Sequence, residues 1–191
     1  MLAWLVGLLA KNSDYKTNIE VVPFKVLSKE IVEQLMNKIP FFWHNLSGKK
    51  RILVITMFTE YQDSNYNKNL VRTIIEKYPE YRIGLFFSDI PDPEERDKNF
   101  RSKAVVFYCK DQKSIKDFFD LENLSDYCPD EKYELLEKEI EKKGTLFYKL
   151  ANINFYTLAF PVIILEDGRV YDLGFYKNFP IEDILSKILS Q

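Results

Sequence analysis

The pattern of apolar and polar positions along the chain predicts strands and helices in alternation. Residues 51–58 (RILVITMF) and 81–87 (YRIGLFF) are continuous apolar runs of the kind that form strands buried on both faces. Between them, residues 70–78 carry apolar side chains at helical spacing, and residues 27–39 do so earlier in the chain. Residues 41–50 are predicted to be a loop. Because two buried strands flank a helix, this order predicts a parallel βαβ unit.

The second half of the chain predicts a helical insertion, a hairpin and a closing helix. Residues 91–150 are charged and place apolar residues three or four apart, and Gly144 is predicted to end the last helix of this insertion. Two apolar runs then meet at Asp167-Gly168, which indicates a hairpin turn, and residues 181–189 are amphipathic. The resulting order, β-α-β, helical insertion, β-β-α, predicts a thioredoxin-like α/β fold.

These elements divide the chain into three parts. Residues 1–27 are expected to be an apolar N-terminal arm followed by a short extended segment. Residues 28–48 are expected to be a linker helix, capped by Ser28, and a loop. Residues 49–191 are expected to form the thioredoxin-like domain, with its helical insertion at about 91–150.

The first ten residues, MLAWLVGLLA, are apolar throughout. A helix of this length is about 15 Å long, so it does not span a membrane. No Lys or Arg precedes the run and it lacks a small-x-small cleavage pattern, which makes a secretory signal the weaker of two interpretations. We expect instead an arm that packs on the domain or on a second copy of the chain, and therefore a route to a homodimer.

Composition and charge exclude several classes of protein. The chain has 27 Lys and Arg against 29 Asp and Glu, a formal net charge of −2, so it lacks the basic field that drives nucleic-acid binding. No apolar run reaches the roughly 20 residues that cross a bilayer. Hydrophobic residues make up 46% of the chain and aromatic residues 15%, enough to fill a packed core, which argues against intrinsic disorder.

Four stretches of the chain carry a family resemblance. They are the strand and loop ITMFTEYQ (55–62), the helix VFYCKDQKSIKDFFD (106–120), the segment AFPVIILEDGRVYDLGF (159–175) and the helix LSKEIVEQLMNKI (27–39). Each resembles the matching stretch of the DsbC/DsbG family of bacterial periplasmic protein disulfide isomerases, in the catalytic domain or the linker before it. The resemblance implies a thioredoxin-like fold and a periplasmic or cell-envelope location. A cytoplasmic location in a thermophile is the alternative.

The redox motif of that family is absent from this chain. Where the family carries Cys-x-x-Cys directly after the strand, this sequence reads Asp63-Ser64-Asn65-Tyr66. Thiol–disulfide exchange needs a thiolate, which neither a carboxylate nor a phenol replaces, so no catalytic residue is expected in this former active-site loop. Asp63 is expected to cap the following helix by accepting the N–H of Asn65 or Tyr66. Polar contacts from this loop to a ligand are the alternative.

The resemblance also implies a peptide-binding groove beside a cis-proline. It places a cis peptide bond before Pro161, and Phe160 stands where the family has Thr. Tyr61, Tyr66, Phe160 and Pro161 are expected to line an apolar groove that holds an extended polypeptide, whose backbone would pair with the edge near Phe160. The alternative is that these aromatic side chains only fill space.

Cys109 and Cys128 are the two cysteines of the chain, which allows one bridge or two free thiols. The resemblance implies a structural disulfide between them, like the second disulfide of the family. Free buried thiols and a redox switch are the alternatives that the residues themselves leave open.

No other group of residues in the sequence points to catalysis, a metal or a cofactor. His44 is the sole histidine and has no nucleophile or base beside it. One histidine with Cys109 and Cys128 lacks the spacing of tetrahedral metal ligands. We therefore expect a redox-inactive protein that binds polypeptide or an envelope partner as a chaperone or assembly factor, without a cofactor. A thiol–disulfide oxidoreductase or isomerase that uses Cys109 and Cys128 is the alternative.

Overall fold

A six-stranded sheet with helices on both faces forms the centre of the structure. The computed structural model describes residues 19–56, 61–88, 98–110, 118–120 and 128–190. The strands are β1 (Lys25–Val26), β2 (Phe42–His44), β3 (Lys50–Thr56), β4 (Tyr81–Phe87), β5 (Val162–Leu165) and β6 (Arg169–Asp172). The helices are α1 (Lys29–Lys38), α2 (Tyr61–Lys77), α3 (Lys98–Cys109), α4 (Asp130–Ala151) and α5 (Ile181–Leu189), with short 3-10 helices at Phe155–Thr157 and Leu173–Tyr176.

The strand order is that of a thioredoxin-like fold. Neighbouring strands follow β1-β6-β5-β3-β4-β2. Strands β3 and β4 are parallel, with Ile52 opposite Ile83, and the other neighbouring pairs of described strands are antiparallel. The βαβ unit is β3-α2-β4, the β5–β6 hairpin lies on the other side of β3, and α5 follows the hairpin. The predicted thioredoxin-like α/β fold is confirmed.

The hairpin turns at Asp167-Gly168, as the sequence predicts. Gly168 has a φ of 94°, a left-handed conformation that favours glycine. A Cβ at this position would also lie 2.2 Å from the carbonyl oxygen of Leu27, so the turn packs directly on the chain that enters α1. Both constraints require glycine here.

Two hydrophobic clusters fill the two faces of the sheet. The first cluster lies under α2, α3 and α5 and includes Ile52 and Val54 of β3. The second cluster lies under α1 and the C-terminal part of α4 and includes Leu53 and Ile55. All four residues are at most 1% exposed, so this continuous apolar run is buried on both faces, as predicted.

Two lysines of α4 bind the C-terminal ends of neighbouring helices. The Nζ of Lys143 donates to the carbonyl of Lys38 at the end of α1 (2.6 Å), and the Nζ of Lys132 donates to that of Cys109 at the end of α3 (2.5 Å). A cation at such a place binds an unpaired carbonyl and opposes the negative end of the helix dipole. These contacts join α4 to α1 and α3.

The prediction of a plain loop over residues 41–50 is wrong. Phe42–His44 form β2, which pairs with β4 at the edge of the sheet and places Trp43 opposite Gly84. A Cβ at position 84 would lie 3.1 Å from the Trp43 ring and 2.8 Å from Pro40 Cγ, so the glycine leaves the space that the ring occupies. This strand arises from tertiary pairing, which a local pattern does not encode.

Two helices are longer than the pattern predicts. Helix α2 already includes Tyr61, before both the cap expected at Asp63 and the apolar spacing that begins at residue 70, and α4 continues through Gly144 to Ala151. The prediction that Gly144 ends its helix is therefore wrong. Phe147 and Ala151 are fully buried in the second cluster, so packing beyond the glycine carries the helix past it.

The predicted arm Met1–Ala10 lies outside the described residues, as does the part of the insertion helix at 111–117. In the part of the chain that the structure describes, no helix combines the length and apolar character needed to cross a membrane.

Candidate functional site

The loop before β5 lies at the edge of the sheet where β3 ends and α2 follows. Val162, the first residue of β5, is opposite Ile55 near the C-terminal end of β3. The peptide bond between Phe160 and Pro161 is cis. Pro161 is buried and Phe160 is half-buried. The hairpin register and this loop together define the candidate site.

A buried carboxylate holds the loop. Asp172 is opposite Val162 in the hairpin and is 2% exposed. Its Oδ2 accepts the N–H of Ala159 (2.7 Å) and its Oδ1 accepts that of Gly174 (3.2 Å). Desolvation raises the pKa of Asp172, while the N–H groups of Ala159, Gly174 and Phe160 act in the opposite direction. The carboxylate thus joins the loop before Pro161 to the chain after β6.

Close backbone packing holds the same loop from a second side. A Cβ at Gly174 would lie 2.1 Å from the carbonyl oxygen of Ala159 and 2.4 Å from that of Phe160. Phe160 has a φ of 44°, a left-handed conformation that is uncommon for an aromatic residue. Asp172 and Gly174 together therefore define the position of Phe160.

This arrangement limits which backbone groups of the expected groove could contact a ligand. The N–H groups of Ala159 and Phe160 interact with the carboxylate of Asp172, so they do not face a ligand strand. A ligand backbone that pairs with the edge near Phe160 would therefore not use these two donors.

Four aromatic residues, Tyr148, Phe155, Tyr156 and Phe160, form what we call the aromatic surface beside Pro161. The ring centroid of Phe155 lies 5.7 Å from that of Tyr148, 5.4 Å from that of Tyr156 and 5.8 Å from that of Phe160. The first two pairs meet edge to face, a favourable arrangement of aromatic quadrupoles. Tyr156 is 62% exposed, so the surface is open to solvent at one end.

Three members of this surface are absent from the groove that the sequence predicts. That groove includes Phe160 and Pro161 but not Tyr148, Phe155 or Tyr156. A signal was present, because the stretch NFYTLAFP before the cis-proline holds three aromatic residues in eight positions. Aromatic density alone does not distinguish a surface from a core, and the 3-10 turn at Phe155–Thr157 decides that Tyr156 points outward.

The former active-site loop is part of helix α2. Asp63 belongs to the first turn of this helix, because the helix already includes Tyr61, so the expected N-cap role of Asp63 is wrong. The side chains of Tyr61, Asp63 and Ser64 lie outside the described part of the structure. Asn65 is exposed.

Tyr66 connects α2 to the chain after β6. Its hydroxyl donates to the carbonyl oxygen of Leu173 (3.3 Å), the residue after Asp172, and burial raises the pKa of Tyr66 to about 12. Tyr66 packs against the first cluster, whereas Phe160 packs against the second. These two residues of the expected groove therefore pack on different faces of the sheet.

Cys109 and Cys128 form a disulfide bond. Cys109 is the last residue of α3 and is 8% exposed, and Cys128 packs against the first cluster. The C-terminus of a helix is the negative end of its dipole and disfavours a thiolate. Because Phe160 packs against the second cluster, the disulfide and the aromatic surface belong to different parts of the core.

His44 lies in the edge strand β2 opposite Ile83, where it is half-buried. Desolvation lowers its pKa. Among the residues with described positions, no group of three or more His, Cys, Asp or Glu is arranged to hold a metal ion.

Comparisons with known proteins assign this chain to no family. No protein-family model matches it, and no curated protein matches it. Among solved structures, the Trx3 domain of UGGT in its detergent-unbound form is similar, with 16% sequence identity and a TM-score of 0.49 over 83% of this chain and 99% of that chain. The thioredoxin-like fold is assigned on the strand order described above.

Proposed function

We propose that this protein is a redox-inactive binder of extended polypeptide, related to the DsbC/DsbG disulfide isomerases, that acts as a chaperone or assembly factor. The observation that carries the proposal is the aromatic surface beside Pro161. Unfolded chains expose the apolar side chains that folding would bury, and a partly exposed aromatic surface offers those side chains a place to pack. Loss of the redox cysteines leaves such a surface as a binding site without exchange chemistry.

The chemistry of this loop favours side-chain contacts over backbone pairing. Asp172 occupies the N–H groups of Ala159 and Phe160, which removes two donors that a ligand strand would need. Residues 151–165 contain no charged side chain. We therefore expect the site to bind apolar segments with little dependence on salt concentration, because no ion pairs are made or broken there.

The proposed setting is an oxidising compartment such as the periplasm or cell envelope. The disulfide between Cys109 and Cys128 supports this location, since such bonds are rare in the cytosol of mesophiles. The cytoplasm of a thermophile is the alternative. Formation of a homodimer through Met1–Ala10 remains part of the proposal.

Peptide binding by the aromatic surface is tested with a probe that has no charged side chains. The probe is a twelve-residue peptide of Gly, Ser, Phe and Leu with rhodamine on its N-terminus and an amidated C-terminus, and its binding is followed by fluorescence anisotropy. Truncation of an exposed aromatic contact residue typically costs about 1–2 kcal/mol of binding, so Tyr156→Ala is expected to raise the Kd about tenfold.

The matched control is Leu135→Ala, which removes another exposed apolar side chain. Leu135 is 68% exposed and lies sixteen residues before the end of α4, about 24 Å along the helix axis from Ala151. The Kd of the Leu135→Ala variant for the probe should equal that of the wild type. If the wild-type protein does not bind the probe, or if both variants lose affinity equally, the proposed function is wrong.

An oxidoreductase that uses Cys109 and Cys128 is the alternative function. The position of Cys109 at a helix C-terminus, nearly buried, argues against it. Turnover of insulin disulfides by the reduced protein, abolished by Cys109→Ser, would establish the alternative. Insulin turnover no faster than that with glutathione alone would exclude the oxidoreductase.

A further inference from the structure

Asp172 is a buried carboxylate whose charge is balanced by backbone groups. It is 2% exposed, and the groups that lower its pKa are the N–H groups of Ala159, Gly174 and Phe160. Buried charges in proteins usually have an ionic partner, because desolvation is costly. Residues 151–165, which include the loop that Asp172 holds, contain no charged side chain. Protonation of the carboxylate would therefore act on the loop through these hydrogen bonds.

Charged and titratable groups on the described elements next to this site have partners of their own. Lys25 of β1 donates its Nζ to the carbonyl of Asn152 (2.7 Å). Arg169 of β6 contacts Asp167 (2.7 Å). Tyr66 of α2, with its pKa raised to about 12, stays neutral across the acidic and neutral range. Asp172 is thus the described group of this site that titrates at acidic pH.

Protonation of Asp172 weakens the hydrogen bonds that hold the loop around Phe160. An ionised carboxylate accepts strong hydrogen bonds from several N–H groups, and a neutral carboxyl group is a weaker acceptor with one oxygen that donates. The loop held by these bonds places Phe160 in its left-handed conformation with its ring 5.8 Å from Phe155. Weakening the bonds therefore loosens one end of the aromatic surface.

We propose that Asp172 is a positioning residue of the aromatic surface, and that protonation of its carboxylate weakens the binding of polypeptide. The proposal rests on the proposed function and adds its regulation: the ionised carboxylate holds Ala159 and Phe160 in the binding arrangement, and acidification releases the ligand. The ligand class is a polypeptide segment with apolar side chains, since the surface that moves is aromatic and uncharged.

The test measures binding of the rhodamine-labelled peptide, which has no charged side chains, from about pH 7.5 down to about pH 4. The wild-type Kd is expected to rise about tenfold over this range, because hydrogen bonds to a charged group are worth about 1.5–3 kcal/mol. Asp172→Asn is expected to bind weakly at every pH and to show a flat profile. The control Asp167→Asn changes an exposed aspartate in the same hairpin and should retain the wild-type profile. Circular dichroism at each pH confirms that the protein is folded.

A second measurement does not depend on any ligand. Hydrogen exchange of the Ala159 amide is expected to be about tenfold faster in Asp172→Asn than in Asp167→Asn at the same pH. Equal exchange rates would overturn the positioning role. A wild-type Kd that is constant with pH, or a pH profile that persists in Asp172→Asn, would overturn the coupling to protonation. Absence of binding at neutral pH with faster exchange in Asp172→Asn would refute the proposed function and the coupling, but not the role of Asp172 in holding the loop.

Discussion

Single positions decide the local geometry of this protein, and two glycines in opposite environments show how. Gly174 packs on the peptide between Ala159 and Phe160, where a Cβ would lie 2.1 Å from the nearest carbonyl oxygen. Gly144 lies inside α4, where a Cβ would meet Ser88 Oγ at an ordinary contact distance of 3.9 Å. Position 174 excludes any side chain. At position 144 the glycine only makes the helix less stable than another residue would.

We expect the same substitution to act in opposite directions at these two positions. Gly174→Ala should lower the free energy of unfolding by about 3 kcal/mol, because backbone would have to move away from the new methyl group. Gly144→Ala should raise it by about 1 kcal/mol, since alanine loses less conformational entropy in a helix than glycine does. Urea unfolding of the two variants beside the wild type measures both. A loss of stability in both variants would contradict the packing described at Gly144.

At the scale of elements, α1 is stabilised by its cap and is held to the sheet by its buried face and an ion-pair network. Ser28 Oγ accepts the N–H of Ile31 (3.4 Å), as predicted for its N-cap. Leu35 and Met36 are fully buried in the second cluster. Arg51 of β3 joins the helix to the hairpin through the carboxylates of Glu33 and Glu166.

The Arg51 guanidinium is expected to couple α1 to the hairpin turn. Its Nη2 contacts Glu33 Oε1 of α1 (2.7 Å) and its Nε contacts Glu166 Oε1 after β5 (2.6 Å), and these bonds raise the pKa of Arg51. Because all three side chains are partly exposed, Arg51→Met should cost about 1 kcal/mol of stability, and less at high salt. A double-mutant cycle with Glu166→Gln, read by thermal unfolding, measures the coupling. A coupling energy of zero at low salt would show that the contact does not stabilise the fold.

At the scale of the whole molecule, the disulfide connects the end of α3 to the start of α4. Cys109 and Cys128 are separated by 19 positions, so the bond closes a loop of that size within the insertion. Lys132 binds the carbonyl of Cys109 close to the same point (2.5 Å). Since Cys128 packs against the first cluster, the bond belongs to the structural core rather than to the aromatic surface.

Removal of the disulfide is expected to lower stability and leave peptide binding intact. The paired substitution Cys109→Ser and Cys128→Ser should cost about 3 kcal/mol, the value that loop-closure entropy gives for a loop of this size. Reductant should lower the stability of the wild type by a similar amount and leave the double variant unchanged in urea unfolding. A double variant that loses affinity for the rhodamine-labelled peptide while it remains folded would place the disulfide in the binding function.

The sequence by itself determined the elements whose pattern is local. The apolar runs of β3 and β4, the Asp167-Gly168 turn, the Ser28 cap and the closing helix α5 are each set by neighbouring residues, and all lie where the pattern predicts them. The absence of a Cys-x-x-Cys motif after β3 is likewise readable without coordinates. Local hydrogen bonding and periodic burial connect residues that are close in sequence, which is why these features can be predicted.

Tertiary structure alone decided the features that depend on residues far apart in the chain. Strand β2 pairs with β4 where Gly84 makes room for Trp43, and α4 passes Gly144 and packs Phe147 in the second cluster. The register of β5 on β6 brings Asp172 to the loop before Pro161. No local period encodes such a contact, because it depends on which residues of two paired strands are opposite each other.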